Sequence, residues 1–130
     1  MPMQDEQPKG ELALRAIAMP ADANPHGDIF GGWLLSQMDL AGSVLATRRA
    51  RGRVATVAIA TMTFKRPVFI GDAVTCYARI VKAGRTSVAV EVESWASRNV
   101  GGEHVKVTEG TFTYVAIGPD RKPRLLPSDG

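Results

Sequence analysis

The run from Gly31 to Arg49 limits what this chain can become more than any other part of it. Within it, Trp33-Leu34-Leu35-Ser36-Gln37-Met38-Asp39-Leu40-Ala41-Gly42-Ser43-Val44-Leu45-Ala46 is too long and continuous for a strand. Its residues are good helix formers, so the segment predicts a helix ending near Arg49, ~25 Å long. Apolar positions run almost all the way round it. Such a helix is normally buried inside a protein rather than laid on its surface, so it needs a wrapper.

The rest of the chain supplies one. Residues 11–19 alternate loosely and read as a strand, with Leu12, Leu14, Ala16 and Ala18 on one face. Val54 to Phe64, Ala73 to Lys82, Thr86 to Ser97 and Val105 to Ile117 are rich in Val, Thr and aromatics and read as further strands. Val88, Val90 and Val92 alternate against Ala89, Glu91 and Glu93, the pattern of a half-buried strand. Two strands change phase midway. Val105 and Val107 give way to Phe112 and Tyr114, with Glu109-Gly110 at the switch as the expected bulge, and Val57 and Ile59 give way to Met62 and Phe64. Ala83-Gly84-Arg85 between two strands is a hairpin signal. One apolar helix and a meander of long, curving antiparallel strands is most simply an α+β hotdog architecture, a curved sheet wrapped around a central helix.

Composition places this in one compact domain. The chain has 130 residues, 45% of them hydrophobic, enough to build a core. Residues 1–10 and 119–130, with their prolines and charges, read as tails to a single domain over 11–118. No apolar run approaches the ~20 residues of a membrane helix. The polar, acidic N-terminus is unlike a signal peptide, and Cys76 is the single cysteine, so a cytoplasmic, reducing address is expected. Sixteen basic against 13 acidic side chains give a mild net charge of +3, and aromatics are only 6%. Neither nucleic acid nor membrane is an expected partner.

Asp39 is the residue that sits worst in the helix. Its neighbours a turn away are Leu35, Ser36, Gly42 and Ser43. An ionised carboxylate in an apolar setting is costly unless it is paired. Two readings stand: an Asp on a wet face or paired with an arginine, or a general base or nucleophile held on a rigid element. Gly31 and Gly32 at the helix entrance either shape a turn or let a ligand oxygen approach free N–H groups at the positive end of the helix. Asn24 and His26 precede them in a loop dense in turn residues. With His104 the only other histidine, a metal site is not expected. Arg48, Arg49, Arg51 and Arg53 suit a helix C-terminus or, alternatively, a phosphate. Lys65-Arg66-Pro67 and Gly84-Arg85-Thr86-Ser87 are further basic spots. Leu34, Leu35, Met38, Met62 and Trp95 read equally as the lining of an acyl tunnel or as plain core.

Taken in order, these residues resemble a known family. Asn24-x-x-Gly27-x-x-Phe30-Gly31-Gly32 followed by Asp39 is similar to the YciA-like acyl-CoA thioesterases of the hotdog superfamily. The likeness continues through Ala18-Met19-Pro20-Ala21-Asp22, Gly52-Arg53-Val54, Phe64-x-x-Pro67-x-x-x-Gly71-Asp72 and Gly84-Arg85-x-Ser87, and covers nearly all of 12–117. The resemblance implies hydrolysis of acyl-CoA to free acid and CoA, with no metal and no cofactor beyond the CoA of substrate and product. It implies that Asp39 is the catalytic carboxylate, that Asn24 places the water or the thioester, and that N–H groups near Gly32 bind the thioester oxygen. Phe30, Gly31, Lys65, Arg85, Thr86 and Ser87 are the implied substrate contacts. It further implies dimers in which Asn24 of one chain serves Asp39 of the other, assembled as a trimer of dimers. A thioester has a good leaving group, so one base and a polarised carbonyl can suffice, and the chain has no nucleophile-elbow G-x-S-x-G. The rival readings are a hydratase or dehydratase on acyl thioesters using His26, and a non-catalytic acyl-CoA binding module.

Overall fold

The computed structural model describes residues 7–98 and 102–128. In chain order these form β1 (Glu11–Ile17), a short 3-10 turn (Pro20–Asp22), α1 (Gly31–Ala50), β2 (Val54–Phe64), β3 (Ala73–Ala83), β4 (Ser87–Ser97) and β5 (His104–Ala116). The strands make one five-stranded sheet in the order β1-β3-β4-β5-β2, with every pair antiparallel. This is the expected hotdog arrangement. Each strand begins and ends close to where alternation and turn residues put it. The expected hairpin joins β3 to β4, closed by Gly84 N–H donating to the Ser87 carbonyl at 2.8 Å.

Helix α1 lies on the concave face. Leu34, Met38, Ala41, Leu45 and Ala46 are buried and share a core with Val88, Val90, Val92 and Phe112. A buried Leu or Met there contributes about 1.5–3 kcal/mol. The helix stops where Arg51 turns left-handed at φ 55. Its last carbonyls are answered from a distance, since Arg124 donates to the Ala50 carbonyl at 2.8 Å. A Cβ on Gly52 would stand 2.6 Å from that guanidinium, so glycine leaves the room the contact needs. The residues after β5 run back along the body: Arg124 N–H donates to Ala116 and Leu126 N–H to Arg85.

Three expectations need correcting. The helix is not covered all round. Leu40 and Val44 are 54% and 43% exposed, beside Val57 and Ile59 of the edge strand β2 at 58% and 40%. Five strands curve around only one side of α1, so the second apolar side faces outward. The bulge of β5 against β4 falls at Val107, between the pairs Ser94–Thr108 and Trp95–Lys106, not at Glu109-Gly110. Gly110 instead lies opposite the irregularity in β2, where Thr61 has φ 61 and the Met62 sulfur occupies the space a Cβ on Gly110 would need. On β1, Leu12 is exposed rather than part of a buried face, because β1 is an edge strand whose register slips between Leu12 and Leu14.

Candidate active site

Asp39 lies on the border between the buried and open faces of α1, on the side of β2. Its side chain is half-buried, and no arginine among the described residues is paired with it. Thr56 Oγ1 donates to Asp39 Oδ1 at 2.7 Å. The main chain of the same residue is held as well, with Tyr114 Oη donating to the Asp39 carbonyl at 2.7 Å. Thr56 and Tyr114 are direct cross-strand partners on β2 and β5. The carboxylate is therefore braced by the Thr56 hydroxyl, with the buried Tyr114 phenol close enough to feel its charge. A carboxylate so placed can accept a proton from water or attack an electrophile.

The helix entrance has the character its sequence foretells. Phe30 is the N-cap and offers no side-chain acceptor. The first intrahelical bonds start at Trp33 and Leu34, both donating to the Phe30 carbonyl. The N–H groups of Gly31 and Gly32 are left for an outside acceptor at the positive end of the helix. Open space stands over Gly32, and only the Phe64 ring lies near Gly31. A cleft of ≈350 Å³ opens here, lined by Phe30, Gly31, Leu34, Phe64, Lys65 and Pro67 among others. Lys65 also lies 3.9 Å from Glu109, an exposed and weak pairing.

Asn24 organises the loop that leads into this entrance. Its Oδ1 accepts from the N–H groups of His26 at 2.9 Å and Asp28 at 3.1 Å, an Asx-type turn. That commits the carboxamide oxygen and leaves the amide as a donor. His26 is exposed in the same loop. Among the described residues no cluster of three or more His, Cys, Asp or Glu side chains is placed to hold a metal ion.

A single chain does not bring all these groups together. Gly32 and Asp39 are separated by ~10 Å along the helix axis. Arg85, Thr86 and Ser87 sit at the other end of α1, where Arg85 accepts from Leu126 and Arg49 donates to Pro127. Gly84 has no left-handed φ; what its missing side chain gives is room beside Ser87 Oγ, 3.2 Å from a would-be Cβ. Two of the four clustered arginines are engaged elsewhere: Arg48 pairs with Glu11 at 2.8 Å and Arg49 donates to Pro127. Trp95, read as tunnel lining or core, lies on the face of the sheet away from α1, stacked on His104 with ring centroids 5.0 Å apart. Thr56 and Tyr114 escaped the sequence reading because each meets Asp39 only through tertiary contact, and Arg124 escaped it because it lies in a stretch read as a tail.

Comparison with known proteins supplies the context. A family model described as the thioesterase superfamily matches residues 26–103. The acyl-CoA thioester hydrolase YciA of Salmonella typhimurium is 53% identical, with 100% of both chains covered. The fold is also that of a hexameric thioesterase from Yersinia pestis, 50% identical, with a TM-score of 0.89 over 94% of this chain and 100% of the other. A hexameric hotdog fold thioesterase of Campylobacter jejuni is 45% identical, with a TM-score of 0.85 over 91% of each chain.

Proposed function

This chain belongs to the thioesterase superfamily, and we propose that within it the protein is an acyl-CoA thioester hydrolase whose carboxylate is Asp39. One observation carries the mechanism: a half-buried, helix-borne carboxylate gripped by Thr56. The reaction consumes water and a thioester and yields a carboxylic acid and the CoA thiol. Asp39 acts either by taking a proton from the attacking water or by attacking the carbonyl to form a mixed anhydride that water then opens. In both routes negative charge grows on the thioester oxygen. Free N–H groups at a helix start, as at Gly31 and Gly32, stabilise such charge.

The ~10 Å of helix between Gly32 and Asp39 supports a site built across two chains. Asn24 and Gly32 of one chain then serve Asp39 of the partner subunit, with the Asn24 amide donating to the thioester or the water. The exposed apolar side chains Leu40, Val44, Val57 and Ile59, on the flank beside Asp39, are the surface such a dimer covers. Hexameric relatives support three such dimers. The CoA nucleotide is assigned to Arg85, Thr86 and Ser87, with Phe30 and Lys65 at the cleft by the helix entrance. The chemistry asks for no metal or further cofactor. A single buried cysteine fits the reducing cytoplasm. The hydratase reading loses ground because the matched relatives are named acyl-CoA thioester hydrolases.

The test is a panel of acyl-CoA esters with a thiol-trapping readout of released CoA. Burial pushes the Cys76 thiol up to about 12, so the native protein adds little background to the assay. Release of CoA with equimolar free acid is the expected result. Binding without turnover across the panel would instead make the protein an acyl-CoA binding module.

A further inference from the structure

We propose that Tyr114 is a positioning residue for Asp39, and that Gly42 is there to admit it; the proposal rests on the reading of Asp39 as the catalytic carboxylate. Tyr114 is fully buried, and its hydroxyl donates to the Asp39 main-chain carbonyl at 2.7 Å. A mid-helix carbonyl already accepts from the N–H four residues on, so this second donor is not needed to satisfy the helix. The contact is possible only because residue 42 has no side chain. A Cβ on Gly42 would lie 2.3 Å from the Tyr114 hydroxyl oxygen and 3.0 Å from Cζ. Glycine in a helix interior is unfavourable relative to alanine, and here it leaves the space for the tyrosine tip.

The arrangement has a functional geometry. Thr56 and Tyr114 face each other on adjacent strands, and the first holds the Asp39 side chain while the second holds its main chain. Two anchors on one residue, both from the same rung of the sheet, fix the turn of helix that carries the carboxylate. Burial, with the Asp39 charge nearby, raises the phenol pKa above its ordinary value, so the group stays a neutral donor at working pH. Without the hydroxyl the helix is free to shift against the sheet by fractions of an ångström, and misplacement on that scale lowers the rate rather than the binding of substrate.

Tyr114→Phe keeps the ring and removes the donor. The expected result is a kcat lowered ~10- to 100-fold with KM changed less than about threefold, at unchanged oligomeric state. Gly42→Ala approaches the same contact from the helix side and should lower kcat in the same way. In an Asp39→Asn background, Tyr114→Phe should leave the residual rate unchanged, because the residue on which it acts is already disabled. A kcat within twofold of wild type for both Tyr114→Phe and Gly42→Ala overturns the proposal. So does an equal loss from Tyr114→Phe with and without Asp39, which would make Tyr114 a structural residue only. An Asp39→Asn protein of full activity would overturn the underlying reading instead, and the two failures are told apart by that single variant.

Discussion

Lys106 Nζ lies 3.5 Å from Glu93 Oε2, and the two side chains are only 7% and 2% exposed. They sit on the side of the sheet that faces away from α1, where alternation along β4 places Glu93 opposite to Val90 and Val92. Trp95 Nε1 and the Lys9 N–H also donate to Glu93, at 3.0 and 3.3 Å. Lys106 also pairs with the more exposed Glu109, three residues on; a buried pair like Glu93–Lys106 adds little over an apolar pair of the same shape, but breaking it strands a charge. Lys106→Ala should therefore cost about 3–5 kcal/mol in chemical denaturation, and Glu93→Leu combined with Lys106→Met much less. A single substitution costing under about 1 kcal/mol would show the pair to be effectively solvated.

The same pair marks how far the sequence could be read. Val88, Val90 and Val92 announce β4 and its core-facing side, and Glu91 and Glu93 announce an outward side. That the outward side is itself covered at Glu93 is a tertiary fact. The chain before β1 passes over Ala78, where Gly10 at φ +98 comes so close that a Cβ would lie 2.4 Å from the Ala78 carbonyl oxygen. The helix shows the opposite case. Its apolar residues all round were legible, but burial on every side was not the outcome, since the sheet covers one side of α1 and leaves Leu40 and Val44 out. At the site, Asp39, the glycines and the Asn24 loop stood out as residue types in unusual places. Thr56 did not, because an ordinary Thr in a strand carries no local sign that it will meet a helix residue 17 positions earlier.

Arg85 is expected to act on the nucleotide end of the substrate. A charge-assisted phosphate contact is worth ~1.5–3 kcal/mol. Arg85→Ala should raise KM for acyl-CoA roughly ten- to a hundredfold, and less at high salt. KM for an acyl-pantetheine, which lacks the nucleotide phosphates, should barely move. Equal losses on the two substrates would place Arg85 in the fold or at the acyl end.

Sharing of the site between chains is open to subunit mixing. Asn24→Ala and Asp39→Asn proteins, each inactive alone, should regain activity when dissociated and reassembled together, because hybrid dimers contain one site with both residues intact. Hybrids confirmed by mass spectrometry yet still inactive would mean that both residues act within one chain.

Turnover should persist through prolonged EDTA treatment, since the proposed chemistry uses a carboxylate and main-chain N–H groups alone. Activity lost to the chelator and restored by zinc or manganese would replace Asp39 as base with a metal-bound water.

The most direct measurement is kcat for Asp39→Asn on acyl-CoA. The substitution keeps the shape of the side chain and an oxygen to accept the Thr56 hydroxyl, but removes the basic carboxylate. With the protein folded and assembled as the wild type, kcat should fall ~10²–10⁴-fold. A folded, assembled Asp39→Asn enzyme that keeps more than about a tenth of wild-type kcat would contradict the assignment of catalysis to this residue.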